Sequence, residues 1–146
     1  ERLPDAMKEK LDGLFAIHSA SEAYTVEGTK EKFDKKTAIT YTWDESIMNE
    51  VRHPIVRTHP ENGKKALFVN DMFTLRVDEM EPTESHELLQ TLYQHCTKPE
   101  FCCRFRWTEN AVALWDNRLV QHYAVDDYQD YERLMYRVTI EGDRPN

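Results

Sequence analysis

Two arginines and a histidine near the end of the chain have the residue types and spacing to do chemistry. Arg133 and Arg137 lie four apart in Arg133-Leu134-Met135-Tyr136-Arg137. Side chains alternate along an extended strand, so both arginines point to one side, roughly 13 Å apart at about 3.3 Å per residue. The opposite side, Leu134, Tyr136, Val138 and Ile140, is wholly apolar and is the natural packing face. Two readings of the arginines stand. They are solvated on an exposed face, or they point into the lumen of a small barrel. In a lumen an unpaired guanidinium is costly, so each would need an anion. The planar fork of arginine holds carboxylates and sulfonates through two parallel hydrogen bonds. His122 stands eleven residues before Arg133, where an apolar run meets a polar turn. An imidazole there is either a satisfied core side chain or a metal ligand.

The other five histidines read as structural. His86 and His95 fall on the exposed or terminal parts of a helix, while His18 and His53 flank loops with no acidic residue at a ligand spacing. His59-Pro60-Glu61 formally matches the paired His-x-Asp/Glu ligands of non-haem iron oxygenases. Glu61, however, belongs to Pro60-Glu61-Asn62-Gly63, strong turn chemistry that places it at a hairpin tip in solvent. The turn explains these residues without a metal. No His-x-Asp occurs anywhere in the sequence.

Several elements must position these groups. Pro4 to Phe15 reads as a helix with Met7, Leu11, Leu14 and Phe15 on one face, weakened near Gly13. His18 to about Lys36 reads as a polar surface segment, and Asp44 to Val51 as a short helix capped by Asp44. Pro54–Arg57 and Ala66–Val69 are strand-like runs on either side of the Asn-Gly turn. Pro82 opens a helix to about His95 with Leu88, Leu89, Leu92 and Tyr93 in an apolar stripe. Four strands are expected after it, at 101–107, 111–115, 118–123 and 133–141. This layout is mainly β with flanking helices, an α+β arrangement. It divides into a helical, loop-rich region over 1–52 and an antiparallel β-rich region over 53–146.

Bulk composition narrows the partners. The 146 residues carry a net charge of −8, from 27 acids and 19 bases, which disfavours nucleic acid because phosphate binding needs a basic surface. A small anionic substrate is still admissible, since one or two arginines can bind it against the overall field. No apolar run approaches the ~20 residues needed to span a bilayer, so no membrane association is expected. Cys96, Cys102 and Cys103 form no disulfide framework and suit a reducing, cytoplasmic setting. The sequence opens at Glu1 without an initiator methionine, and the expectation is a piece of a longer polypeptide.

The stretch from His53 to Pro145 closely resembles the carboxy-terminal half of the taurine dioxygenase (TauD/TfdA-like) family of iron(II)- and 2-oxoglutarate-dependent dioxygenases. The motifs that carry the likeness are His53-Pro54-Ile55-Val56-Arg57-Thr58-His59-Pro60, Ala66-Leu67-Phe68-Val69-Asn70 and Thr97-Lys98-Pro99-Glu100-Phe101. Trp115-Asp116-Asn117-Arg118, Gln121-His122-Tyr123-Ala124, Arg137-Val138-Thr139-Ile140 and Gly142-Asp143-Arg144-Pro145 complete them. Residues 1–52 are similar more loosely, as a helical insertion or lid region. The resemblance implies part of a double-stranded β-helix, a jelly-roll or cupin-like barrel. It implies that His122 binds iron(II), that Arg133 pairs with the far carboxylate of 2-oxoglutarate, and that Arg137 holds the anionic head of the substrate, with Phe73 lining the substrate pocket. The implied reaction uses dioxygen to hydroxylate a small anion, such as the sulfonate taurine, with release of sulfite and formation of succinate and carbon dioxide. Alkyl sulfates and aryloxyalkanoates are alternative substrates, and a homo-oligomer is implied as possible. The family's His-x-Asp ligand pair would lie before Glu1. A catalytically incomplete fragment or anion-binding module is therefore the rival reading.

Overall fold

A computed structural model of the chain describes residues 2–24, 45–125 and 132–142. Helix α1 (Asp5–Leu11) starts after Pro4, whose fixed φ suits a helix start, and it ends before Gly13, which turns the chain at φ +73°. The helix is shorter than the sequence pattern suggests. Phe15–His18 is instead strand β1, and it is the central strand of a three-stranded antiparallel sheet. On one edge β1 pairs with β2 (Val51–Pro54), with Phe15 opposite Pro54 and His18 opposite Val51. On the other it pairs with β5 (Thr74–Val77), with a register shift between Ile17 and His18. A strand from before residue 53 and one from well after it thus build a single sheet. The pairing overrides the local helical pattern because it satisfies the backbone groups on both edges of β1.

Two expected features change for related reasons. His18 is not on a polar surface segment but buried in β1, and Ser21–Tyr24 continues as a single helical turn, α2. The rest of that expected segment lies outside the described residues. The expected helix at 44–51 shrinks to a 3-10 turn over Glu45–Met48, and its expected cap, Asp44, also lies outside them.

The hairpin is as its turn residues predict. Strands β3 (Val56–Thr58) and β4 (Lys65–Leu67) pair antiparallel, and Gly63 takes φ +68° at the turn. Ile55, fully buried, links the two sheets: its N–H donates to the carbonyl of Leu14, and its carbonyl accepts from Phe68 N–H. Helix α3 (Pro82–Cys96) has Pro82 in its first turn and buries Leu88, Leu89 and Leu92. It docks on β5 through Ser85 Oγ, which accepts from Val77 N–H at 2.8 Å, and through Tyr93 Oη, which donates to the Thr74 carbonyl at 3.3 Å. One core results, with Leu11, Ala16, Ile55, Val69, Val77 and the three α3 leucines at its centre.

The four strands expected after α3 are corrected. Beyond a 3-10 turn at Pro99–Phe101, no residue from 102 to 142 among those described joins a β-ladder. The side chains expected to pack stand in solvent instead: Val112 is 90% exposed, Leu114 91%, Tyr136 88%, Val138 91% and Ile140 84%. The alternation of residue types is right, but a strand needs a neighbour to take its backbone hydrogen bonds, and the described residues offer none.

Candidate functional site

The segment around His122 is held against the β3–β4 hairpin by a cluster of side chains. His59 is 4% exposed and organises the turn itself. Its backbone N–H donates to the Lys64 carbonyl and its carbonyl accepts from Gly63 N–H. Its ring Nδ1 accepts from Glu61 N–H at 3.3 Å and Asn62 N–H at 3.4 Å. With Nδ1 an acceptor, Nε2 carries the proton and donates to Asp116 Oδ2 at 3.1 Å. His59 is therefore a structural donor, as the turn chemistry indicates, and Glu61 is exposed at the tip.

Asp116 is gripped from its own loop as well. The backbone N–H and Nε of Arg118 both donate to Asp116 Oδ1 at 2.9 Å, and Nη2 donates to Oδ2 at 2.7 Å. Arg118 Nη1 reaches across to Glu61 Oε1 at 2.8 Å. The bidentate Arg118 fork, followed by the His59 hydrogen bond, holds the Asp116 carboxyl far below the usual carboxylate range. Asp116, followed by Glu61, pushes Arg118 upward in turn. Two further contacts complete the attachment. Gln121 Nε2 donates to the carbonyl of buried Val69 at 2.6 Å, and Leu119 and Val120 N–H close a turn on the Asp116 carbonyl. His122 follows immediately, exposed, with its ring 4.8 Å from that of Trp115.

The remaining expected site residues are placed as follows. Phe73 is half-buried; its N–H donates to Asn70 Oδ1 at 2.8 Å, its carbonyl accepts from Ser19 N–H, and its ring lies 6.0 Å from that of Tyr24. Arg133 is half-buried and Arg137 is exposed. Phe73, His122 and Arg137 share no hydrogen bond or ring contact with one another. The residues that do converge, His59, Glu61, Asp116 and Arg118, were not picked out as a group in the sequence. Their signal was the pairing of the turn motif with Trp115-Asp116-Asn117-Arg118, which lie 57 positions apart and meet only in three dimensions.

A second polar cluster lies deeper. His18 and His53 rings meet edge to face at 5.2 Å, each beside the ring of Phe68. Burial, followed by the neighbouring His53, pushes His18 down to about 4, so it is neutral near pH 7. Arg57, 5% exposed, has its guanidinium carbon 5.6 Å from the Phe68 ring centre.

Metal-ligating capacity is partial. His122 offers an imidazole suited to a transition metal, but no three His, Cys, Asp or Glu side chains group together as a metal site among the described residues. A facial set of two histidines and a carboxylate needs two donors beyond His122. These residues therefore fit one corner of such a site and not the whole of it. No helix among the described residues is long and apolar enough to cross a membrane.

Comparison with known proteins fits this geometry into a family. The family model described as taurine catabolism dioxygenase TauD, TfdA family matches residues 1–139. An alpha-ketoglutarate-dependent sulfate ester dioxygenase of Pseudomonas putida is 36% identical over 99% of this chain and 48% of its own length. An alpha-ketoglutarate-dependent sulfonate dioxygenase of Saccharomyces cerevisiae is 31% identical over 99% of this chain and 33% of its own. Among solved structures, AAD-2 in complex with Mn(II) and N-oxalylglycine is 29% identical with a TM-score of 0.56, covering 73% of this chain and 38% of that one. The chain thus spans at most about half the length of these relatives.

Proposed function

This chain belongs to the taurine catabolism dioxygenase TauD, TfdA family, and from that premise we propose that it supplies the carboxy-terminal half of a 2-oxoglutarate-dependent non-haem iron dioxygenase. The observation that carries the reading is the ordered set His122, Arg133 and Arg137 within a family match that spans nearly the whole chain. The proposed fold is half of a double-stranded β-helix, in which the run at 102–142, not in a β-ladder among the described residues, would become strands on pairing with neighbours.

In this reading His122 donates to iron(II), with the remaining donors outside this chain's described residues. The bound centre would supply oxidative decarboxylation of 2-oxoglutarate coupled to hydroxylation of the substrate by dioxygen. Arg133 binds the far carboxylate of 2-oxoglutarate and Arg137 the anionic head of the substrate, each through the paired N–H groups of its fork. Phe73 shields the substrate from water. Fixing both anions orients the target C–H bond, and that orientation is this chain's part of catalysis.

The substrate is a small sulfonate or sulfate ester. Both classes present a tetrahedral anionic head of similar shape to Arg137. Taurine is one such sulfonate, while the similarity to a sulfate ester dioxygenase favours an alkyl sulfate equally. Anaerobic titration of the full encoded polypeptide with iron(II) and 2-oxoglutarate tests the reading. The expected result is a visible charge-transfer band that His122→Ala abolishes. Substrate-dependent succinate formation should then fall sharply for sulfonates and sulfate esters in Arg137→Ala. Absence of the band in the full polypeptide would leave the anion-binding module as the function.

A further inference from the structure

The contacts around Asp116 do more than tie a loop to a hairpin, because they end on the residue before His122. We propose that His59, Glu61, Asp116, Arg118 and Gln121 are positioning residues that fix His122 as a metal donor. The inference rests on the reading of His122 given above and adds the device that places it.

The structure supports this by contrast. From 102 to 142 the described chain has no regular hydrogen-bonded structure, so its side chains are free of the ladder that would normally set their direction. The segment 115–121 is bonded to the folded body across long sequence separation. His59 reaches Asp116, Arg118 reaches Glu61, and Gln121 reaches the Val69 carbonyl. These contacts enter from two places: the first two from the hairpin turn, the third from Val69, two residues past the end of β4. Trp115 Nε1 donates to Asn117 Oδ1 at 2.9 Å, and the Trp115 ring then packs on the His122 ring.

Within this arrangement each residue has a distinct part. His59 is buried and is the anchor, since its ring is fixed on one nitrogen by the turn and presents the other to Asp116. Asp116 is the hub, accepting from both His59 and Arg118. Arg118 returns to the hairpin through Glu61, so the hub is tied to the hairpin at two points. Gln121 ties the chain to the Val69 carbonyl one residue before the donor.

The energetic logic is that of preorganisation. A donor on an unanchored extended segment must lose its conformational freedom when it binds, which lowers its affinity for the metal. A donor already held loses less, and metal affinity rises accordingly. Contacts of this supporting kind are typically worth about 10–100-fold in metal affinity.

The test uses cobalt(II) alone as the probe, without oxygen or 2-oxoglutarate, on the full encoded polypeptide, and reads affinity from its visible absorption. Asp116→Ala and His59→Leu should each weaken cobalt(II) binding by about tenfold or more. His59→Gln should recover most of the loss, because its amide can donate to Asp116 from nearly the same place. Glu50→Gln, which breaks the surface pair with Arg76 at the far side of the first sheet, should leave affinity unchanged. Unchanged affinity in Asp116→Ala and His59→Leu, with binding lost in His122→Ala, would overturn the positioning role alone. Unchanged affinity in His122→Ala would overturn the donor reading and this inference with it. If Asp116→Ala does not fold, Arg118→Lys decides. It keeps the charge but loses the fork, so weaker binding supports the inference and wild-type binding overturns it.

Discussion

Thr74–Val77 and the run from Arg133 to Glu141 are both short segments with apolar side chains on one face, yet they end in opposite circumstances. The first is β5, paired along β1 and covered by α3, with Val77 only 1% exposed. The second joins no β-ladder among the described residues, and its Val138 and Ile140 stand almost fully in water. The difference lies in supply rather than in propensity. β5 has a neighbour at its edge and a helix over its face, whereas the later run has the residue pattern of a strand without either. An unpaired edge and a bare apolar face of this kind call for a partner. That fits a chain spanning at most about half of its relatives.

The largest effect that probes this contrast is a pair of truncations. Leu92 is fully buried where α3 meets the core, and Leu92→Ala should cost about 2–5 kcal/mol in urea unfolding. Val138→Ala should stay within about 0.5 kcal/mol, because its methyls already face solvent. A cost for Val138→Ala comparable with that for Leu92→Ala would break the comparison and show that something covers the later run.

A smaller effect lies within the folded half and depends on pH. An unfolded histidine titrates near 6.5, whereas burial and His53 hold folded His18 at about 4. Between these values the unfolded chain binds a proton that the folded chain refuses, so stability rises with pH across the window. The contribution is complete above about pH 6.5 and is lost as pH falls toward 4. It is on the order of 2 kcal/mol once solvent screening is allowed for. Unfolding midpoints at pH 7 and pH 4.5 should therefore differ, and His18→Gln should flatten that slope whatever it does to stability at pH 7. An unchanged slope in His18→Gln would locate the acid sensitivity elsewhere.

The two halves also differ in how much of them could be read from residues alone. Helix α3 was legible because Leu88, Leu89 and Leu92 repeat at helical spacing behind Pro82. The hairpin was legible because Asn62-Gly63 dictates its turn. Both depend on neighbours in sequence. Strand β1 was not legible, since Phe15-Ala16-Ile17-His18 continues the apolar spacing of α1 and becomes a strand only by pairing with residues 51–54 and 74–77. The 102–142 run was misjudged for the same reason in reverse: its alternation is real, but alternation names a face and not a partner. At the candidate site the residues offered His122 and the pair Arg133 and Arg137, while Phe73 came only from the family resemblance. The link from His59 through Asp116 and Arg118 to Glu61 spans 57 positions, and no local pattern announces it.

The smallest effect separates the halves through backbone conformation alone. Gly63 holds φ +68° in the hairpin turn, and an added Cβ there would meet nothing within 4 Å. Gly63→Ala therefore isolates the cost of forcing an L side chain into the left-handed region, about 1 kcal/mol of stability. Gly142, in the later run, also has open space around it but no positive φ, so Gly142→Ala should change stability by less than about 0.5 kcal/mol. Urea unfolding of the two variants side by side reads the difference directly. Equal, negligible effects would mean that the turn tolerates another conformation. Because His59 binds the Glu61 and Asn62 amides in that same turn, such tolerance would also loosen the anchor on which the placement of Asp116, and through it His122, depends.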